Sequence, residues 1–210
     1  MVTKSGTAFV ILIVSGFPAP RCGATIYESD GSVASVRALQ NAAHDGDTIT
    51  LPAGTFSWTS RLNISKGITL HGATTITGAG TANPTATDAT IIQDDTPRNS
   101  YGLLDVQLNP NQSFRMTGIT FTGGSSRQMA STDGAFYFRS QGTAQVNSVR
   151  IDHCHFASLY QGKIIHISGF LYGVADHNVM EVIGNSFPFN MEHTLLGSGE
   201  NGNASWADYP

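Results

Sequence analysis

The sequence predicts an all-β chain: a single-stranded right-handed parallel β-helix, a solenoid, with an N-terminal capping α-helix. Three observations lead there. Charge is scarce, only 12% of the 210 residues, while hydrophobic residues make up 40% and glycine reaches 23 residues. A soluble domain usually carries about 25% charged residues and about 7% glycine. One amphipathic helical stretch is followed by many short apolar runs, separated by Gly, Asn, Asp, Ser or Thr. Those runs recur at a nearly regular step, the mark of a repeat architecture. The composition also excludes classes. A disordered chain would hold fewer apolar residues and more charge. Fifteen acids against eleven bases, net charge −4, leave no basic footprint for nucleic acid.

The chain opens with Lys4, an apolar run Ala8–Val14, a break at Ser15, Gly16 and Pro18, and the small residues Cys22-Gly23-Ala24. A basic start, a short apolar stretch and a small-residue cleavage site predict a secretory signal peptide over residues 1–24. The run is far shorter than the roughly 20 residues of a membrane span. Arg21 before Cys22 argues against a lipidated cysteine. The expected location is secreted, extracellular or periplasmic, with residues 25–210 forming one β-helix domain. Cleavage would leave nine bases and fifteen acids. It would also leave one cysteine, Cys154, so packing alone must hold the domain.

Ser32 is placed to cap a helix over Val33–Ala43, because its hydroxyl can accept from the free N–H groups of the first turn. Val33, Val36, Leu39, Ala42 and Ala43 fall on one face at helical spacing. His44-Asp45-Gly46-Asp47 ends it. Strands are then expected at Thr48–Leu51, Gly67–His71, Thr90–Gln93, Arg115–Thr117, Ile119–Phe121, Ala135–Arg139, Val149–Asp152, Lys163–Ser168 and Gly173–Ala175, all rich in strand-forming residues. Aligning Leu70, Ile92, Met116, Ile151 and Ala175 gives steps of 22, 24, 35 and 24 residues. The long step can hold a polar loop at Gly123–Asp133. Stacked repeats place equivalent residues about 4.8 Å apart. Columns of like charge are then costly, which explains a chain of neutral Thr, Ser and Asn.

Residues 33–72 carry a family likeness in three strings, NAAHDGDTI (41–49), LPAGTF (51–56) and LNISKGITLHG (62–72). They resemble the opening of the pectin-lyase-like superfamily of right-handed β-helices. VRIDHCHF (149–156) and VIGNSF (182–187) resemble its coil repeat. The resemblance implies a helix covering the first coil and LPAGTF turning between the first two strands. It implies no single activity, since the superfamily holds polysaccharide lyases, hydrolases, epimerases and non-catalytic adhesins.

Five of the seven histidines, His153, His155, His166, His177 and His193, fall within residues 153–193. The 24-residue step places Asp152 over Asp176 and His153 over His177. Two carboxylates that close do not both stay charged cheaply. A cation would resolve the conflict, and Ca2+ suits carboxylate oxygens, so Asp152 and Asp176 are metal-ligand candidates. Glu181 and Glu192 are further acids near in sequence. β-Elimination from a uronate polysaccharide needs a base for the C5 proton, a cation for the sugar carboxylate and an acid for the leaving oxygen. Arg150, Lys163, His153 and His177 are the catalytic candidates. Trp58, Tyr160 and Tyr172, with Trp206, could stack on sugar rings as substrate-binding residues. The expected partner is therefore a polysaccharide.

Plainer roles stay open for the same residues. An Asp-His pair at a turn can simply satisfy its backbone groups. His166 alternates with isoleucines in KIIHIS, as a surface or core strand residue would. Cys154 reads as a small buried stacker. Two other functions compete with the lyase: a non-catalytic glycan-binding or adhesin-type module, and a hydrolase. The hydrolase ranks lower because the Gly-His-Gly and Arg-Ile-Lys strings of the polygalacturonase-like members are absent. Residues 197–210 are polar and glycine-rich, with no amphipathic cap for a last coil. A chain that continues beyond this sequence is the expectation there.

Overall fold

The computed structural model describes residues 23–97, 102–124, 135–140, 146–159, 163–168, 171–181 and 187–192. The expected signal peptide through Cys22, most of the 123–133 loop, all of VIGNSF except Phe187, Tyr160, His193, Trp206 and residues 197–210 lie outside them.

The described residues begin with β1 (Ile26–Glu28) and α1 (Val33–Ala42) and then make circuits of three strands. The first is β2 (Thr48–Thr50), β3 (Gly54–Trp58) and β4 (Leu62–Ile64). The second is β5 (Thr69–His71), a hairpin of β6 (Thr75–Thr77) and β7 (Thr85–Thr87), β8 (Thr90–Asp94) and β9 (Leu104–Leu108). The third is β10 (Phe114–Thr117), β11 (Thr120–Gly123) and β12 (Phe136–Ser140), and the fourth β13 (Val146–Asp152), β14 (His155–Ala157) and β15 (Lys163–Ser168). The fifth is β16 (Leu171–Asp176), β17 (Val179–Met180) and β18 (Phe187–Glu192). Each circuit adds one strand to each of three sheets, ordered β1-β2-β5-β10-β13-β16, β3-β8-β11-β14-β17 and β4-β9-β12-β15-β18. Pairing within all three is parallel, and among the described residues only the β6–β7 hairpin is antiparallel. The chain is thus predominantly β with parallel sheets, a connectivity compatible with a β-helix-like solenoid. Among the described residues no helix is long and apolar enough to cross a membrane.

Register corrects the repeat. Leu70 pairs directly with Ile49 and Met116, so Ile92 is not between them. Ile92 belongs to the second sheet, in a column with Phe56, Phe121, Phe156 and Met180. The steps of 35 and 24 residues to Ile151 and Ala175 are true circuits. The 22 and 24 before them together span one circuit, which is long because the hairpin interrupts it. An inward-facing isoleucine carries no mark of its sheet.

The inward columns form the core. Ile49, Leu70, Met116 and Ile151 line the first sheet, and Leu62, Leu104, Phe136 and Ile165 the third, all at 2% exposure or less. Phe121, Phe136 and Phe156 meet across sheets with ring centroids 4.6–5.7 Å apart. Burying each such side chain stabilises by about 1.5–3 kcal/mol.

Helix α1 forms as expected, with Ser32 Oγ accepting from the Ser35 N–H at 3.1 Å. It lies against β2 and β4, beside the first circuit. Its buried face differs in one respect: Ala42 is exposed and Gln40 is buried. Gln40 tolerates burial because its amide oxygen accepts from Ser65 N–H and its nitrogen donates to Asn41. Gly31 lets the chain cross close above β3. Its φ is +86°, and a Cβ there would stand 2.2 Å from the Phe56 ring. This crossing overturns the reading of Trp58 as a sugar platform. Trp58 is 1% exposed, and its ring N–H donates to Gly31 O at 3.0 Å.

Candidate functional site

The corner between the first and second sheets gathers most of the chemistry. Strands β13 and β16 are register-paired, with Asp152 beside Asp176, as the sequence step predicts. The residue after each carboxylate is histidine in left-handed backbone, φ 53° at His153 and 55° at His177. Gly118 adopts φ 68° after the equivalent Thr117 of β10. The turn therefore needs a left-handed residue, which histidine accepts more readily than most side chains. It also returns each ring to its own aspartate. His153 Nδ1 lies 2.8 Å from Asp152 and His177 Nδ1 2.9 Å from Asp176. The two imidazoles stack at 5.0 Å, 12° from parallel.

The stacked carboxylates are matched by stacked arginines. Arg115 on β10 and Arg150 on β13 are register partners, two positions before Thr117 and Asp152. Arg115 donates Nε and Nη2 to the two Asp152 oxygens at 2.8 and 2.7 Å, and the Thr117 hydroxyl donates to one of them at 3.2 Å. Arg150 Nε stands 3.3 Å from Asp152, while its Nη2 donates to Asp176 at 3.0 Å. Each guanidinium thus bridges to the next coil. Asp152 is fully buried. Burial by itself would raise its pKa, but hydrogen bonds from Arg115 and His153, with the charges of Arg115 and Arg150, lower it to about 2. The arginines are 44% and 45% exposed and the imidazoles 40% and 50%. The corner therefore shows solvent two fixed cations and two imidazole edges, above a buried anion.

This corrects the cation argument. The Asp152–Asp176 repulsion is relieved by guanidinium groups, and both Asp152 oxygens are taken. Among the described residues no group of three or more His, Cys, Asp or Glu is placed to hold a metal.

The other candidates separate. Lys163 opens β15, in the third sheet beside Phe187, and so is not brought to Arg150. Tyr172 is half-buried in β16, with its hydroxyl oxygen buried. His166 is 2% exposed and stacks on Tyr137 at 4.6 Å. Cys154 is buried, which pushes its thiol up to about 12 and leaves it a packing residue.

Three features escaped sequence reasoning. Arg115 was missed, although Arg-Met-Thr at 115–117 stands one circuit below Arg-Ile-Asp at 150–152. A second cluster lies on the second sheet: His155 Nδ1 is 2.8 Å from Asp88 and Nε2 3.5 Å from Glu181, while the Thr120 hydroxyl donates to Asp88 at 2.7 Å. A third lies on the third sheet, where buried Asp105 meets Arg61 at 2.7 Å and Arg139 at 3.0 Å. Their members come from different circuits, so no local motif marks them.

No family model matches the chain, and neither a curated protein nor a solved structure matches it.

Proposed function

We propose that the chain is a secreted right-handed β-helix protein of the pectin-lyase-like type that acts on an acidic, uronate-containing polysaccharide by β-elimination. The observation that carries this reading is the half-exposed pair Arg115 and Arg150, locked by buried Asp152 beside two aspartate-oriented imidazoles. A uronate carboxylate docks on the guanidinium pair, which favours planar, bidentate anions. Neutralising that carboxylate makes the C5 proton more acidic. Aspartate at Nδ1 holds the N–H there, so Nε2 is left as an acceptor. One imidazole, His153 or His177, takes the C5 proton through Nε2. The C5 electron pair forms the double bond to C4, and the C4–O bond breaks. The departing oxygen takes a proton from water or from the other imidazole in its protonated form.

The test is the ultraviolet absorbance of the unsaturated uronide, followed on polygalacturonate and alginate. Absorbance that rises with time, and is lost in Arg150→Ala, supports the reading. Intact polymer with no new ends overturns it. Adding a chelator tests the calcium expectation, and undiminished activity is the outcome the donor set supports. Binding without cleavage is the second reading. Its support is that each Asp–His bond also closes its own turn. Retained polymer binding with no product would select it.

A further inference from the structure

We infer that the chain matures by cleavage between Ala24 and Thr25, and that Asp47 is a built receptor for the α-ammonium this releases. The inference rests on the secretion part of the reading above. Gly23, Ala24 and Thr25 are exposed, and a Cβ added at Gly23 would meet nothing within 4 Å, so the Gly23-Ala24 side of the bond to be cut is unpacked. Immediately afterwards the chain is anchored. Thr25 O accepts from Thr48 N–H at 2.9 Å, and Thr25 N donates to Asp47 Oδ1 at 2.7 Å. The nitrogen that cleavage would turn into the amino terminus already points at a carboxylate.

That carboxylate is unusual. Asp47 is 3% exposed, and its other oxygen accepts from His44 N–H at 2.7 Å. The His44 and Thr25 N–H groups outweigh burial and, with the His44 ring and the Lys66 charge nearby, hold its pKa below the ordinary carboxylate value. His44 Nδ1 is 3.9 Å away on an 82% exposed side chain. Lys66 is engaged at the helix end, donating to Asn41 O and Ala43 O. Asp45, an acid, binds Gly67 N–H and Gln112 instead. A carboxylate already held by N–H groups gains further when one of those donors becomes a cation. Peptide hydrolysis adds water across the Ala24–Thr25 bond, giving a carboxylate on Ala24 and an ammonium on Thr25. The neutral hydrogen bond to Asp47 then becomes charge-assisted, and such bonds are roughly twice as strong. The chain is pinned at Thr25, the residue before strand β1, beside β2.

A carboxylate 2.7 Å away favours the charged amine. Its contribution is therefore present below the ordinary α-amino value, about 7.7–8.0, and fades in alkaline buffer as the amine deprotonates. Three forms are compared by thermal melting: residues 25–210 with a free amine, the same chain acetylated at Thr25, and a chain that retains Gly23-Ala24. At pH 6 the free-amine form is expected to melt about 2–4 °C higher than the other two. The gain should vanish in Asp47→Asn and fade in alkaline buffer. Equal melting of the three forms, or a gain that survives Asp47→Asn, overturns the receptor. The intact mass of the secreted product should place its first residue at Thr25, and any other N-terminus overturns the maturation site. Neither readout involves a polysaccharide, so failure of the lyase assay leaves both untouched.

Discussion

Two faces of the molecule carry the same device, a buried aspartate between arginines of neighbouring circuits. On the first sheet it is Arg115–Asp152–Arg150, and on the third it is Arg61–Asp105–Arg139. Their settings differ. The first-sheet arginines are 44% and 45% exposed, with half-exposed imidazoles at their margin. The third-sheet arginines are 22% and 31% exposed, and Arg139 lies over the Tyr137 ring at 5.2 Å. Tyr137 and His166 beside them are buried. Guanidinium and imidazole groups can meet a ligand on the first sheet, whereas on the third they complete a packed layer. Residue type alone does not make a site. Exposure of the cation over a buried anion does.

The sharpest way to break this comparison is at the histidines. Replacing His153 and His177 together with glycine suits the left-handed turn but removes a hydrogen bond from each aspartate, so melting should fall modestly while the fold is kept. Product formation should fall about 10²–10⁴-fold, the usual worth of a general base. His166→Ala, by contrast, should lower stability and leave the turnover of the folded fraction unchanged. Activity that survives the double glycine variant would reduce both Asp-His pairs to turn chemistry.

The two aspartates come next. Asp105→Ala and Asp152→Ala each remove a buried carboxylate that two arginines share. A buried pair so broken costs about 3–5 kcal/mol, and partial exposure of the arginines trims this to about 2–3 kcal/mol. Urea unfolding should show similar losses for both, while only Asp152→Ala should also weaken polymer binding. Next in size, Arg115→Ala is expected to raise the dissociation constant for polygalacturonate about tenfold, the equivalent of one charge-assisted contact. Arg139→Ala should not change it.

The smallest effect is a slope in acid. The Asp152 pKa is lowered to about 2 from an ordinary value of 3.8. The stability it confers is therefore complete above 3.8 and is lost as pH falls toward 2. The gap between the native chain and Asp152→Asn should narrow through that window in acid unfolding. A gap that stays constant would mean that packing, not charge, holds Asp152.

Much of the fold is legible in the residues. Ser32 marks the helix start, and the short Ile, Val, Phe and Thr runs mark strands because a pleated, half-buried surface prefers them. The exact 24-residue step brings Asp152 to Asp176 and His153 to His177, since two coils of equal length stack in register. The candidate site is only half legible. Arg150 is found beside Asp152 because it is two residues away, while Arg115 is hidden 35 residues earlier. Lys163 looks close in sequence and lies in another sheet. Trp58 looks like a sugar platform until the crossing at Gly31 covers it.

The β character, the helix, the turn residues and the vertical pairing of equal-length coils can all be read from the residues in order. Those follow from local propensity and from period, which a linear chain displays directly. Which sheet Ile92 joins, which cation answers which carboxylate, and which of two like triads faces solvent emerge only once the coils are stacked. Those depend on circuit length and side-chain exposure, and both are set by how an inserted hairpin and the neighbouring coils cover each face.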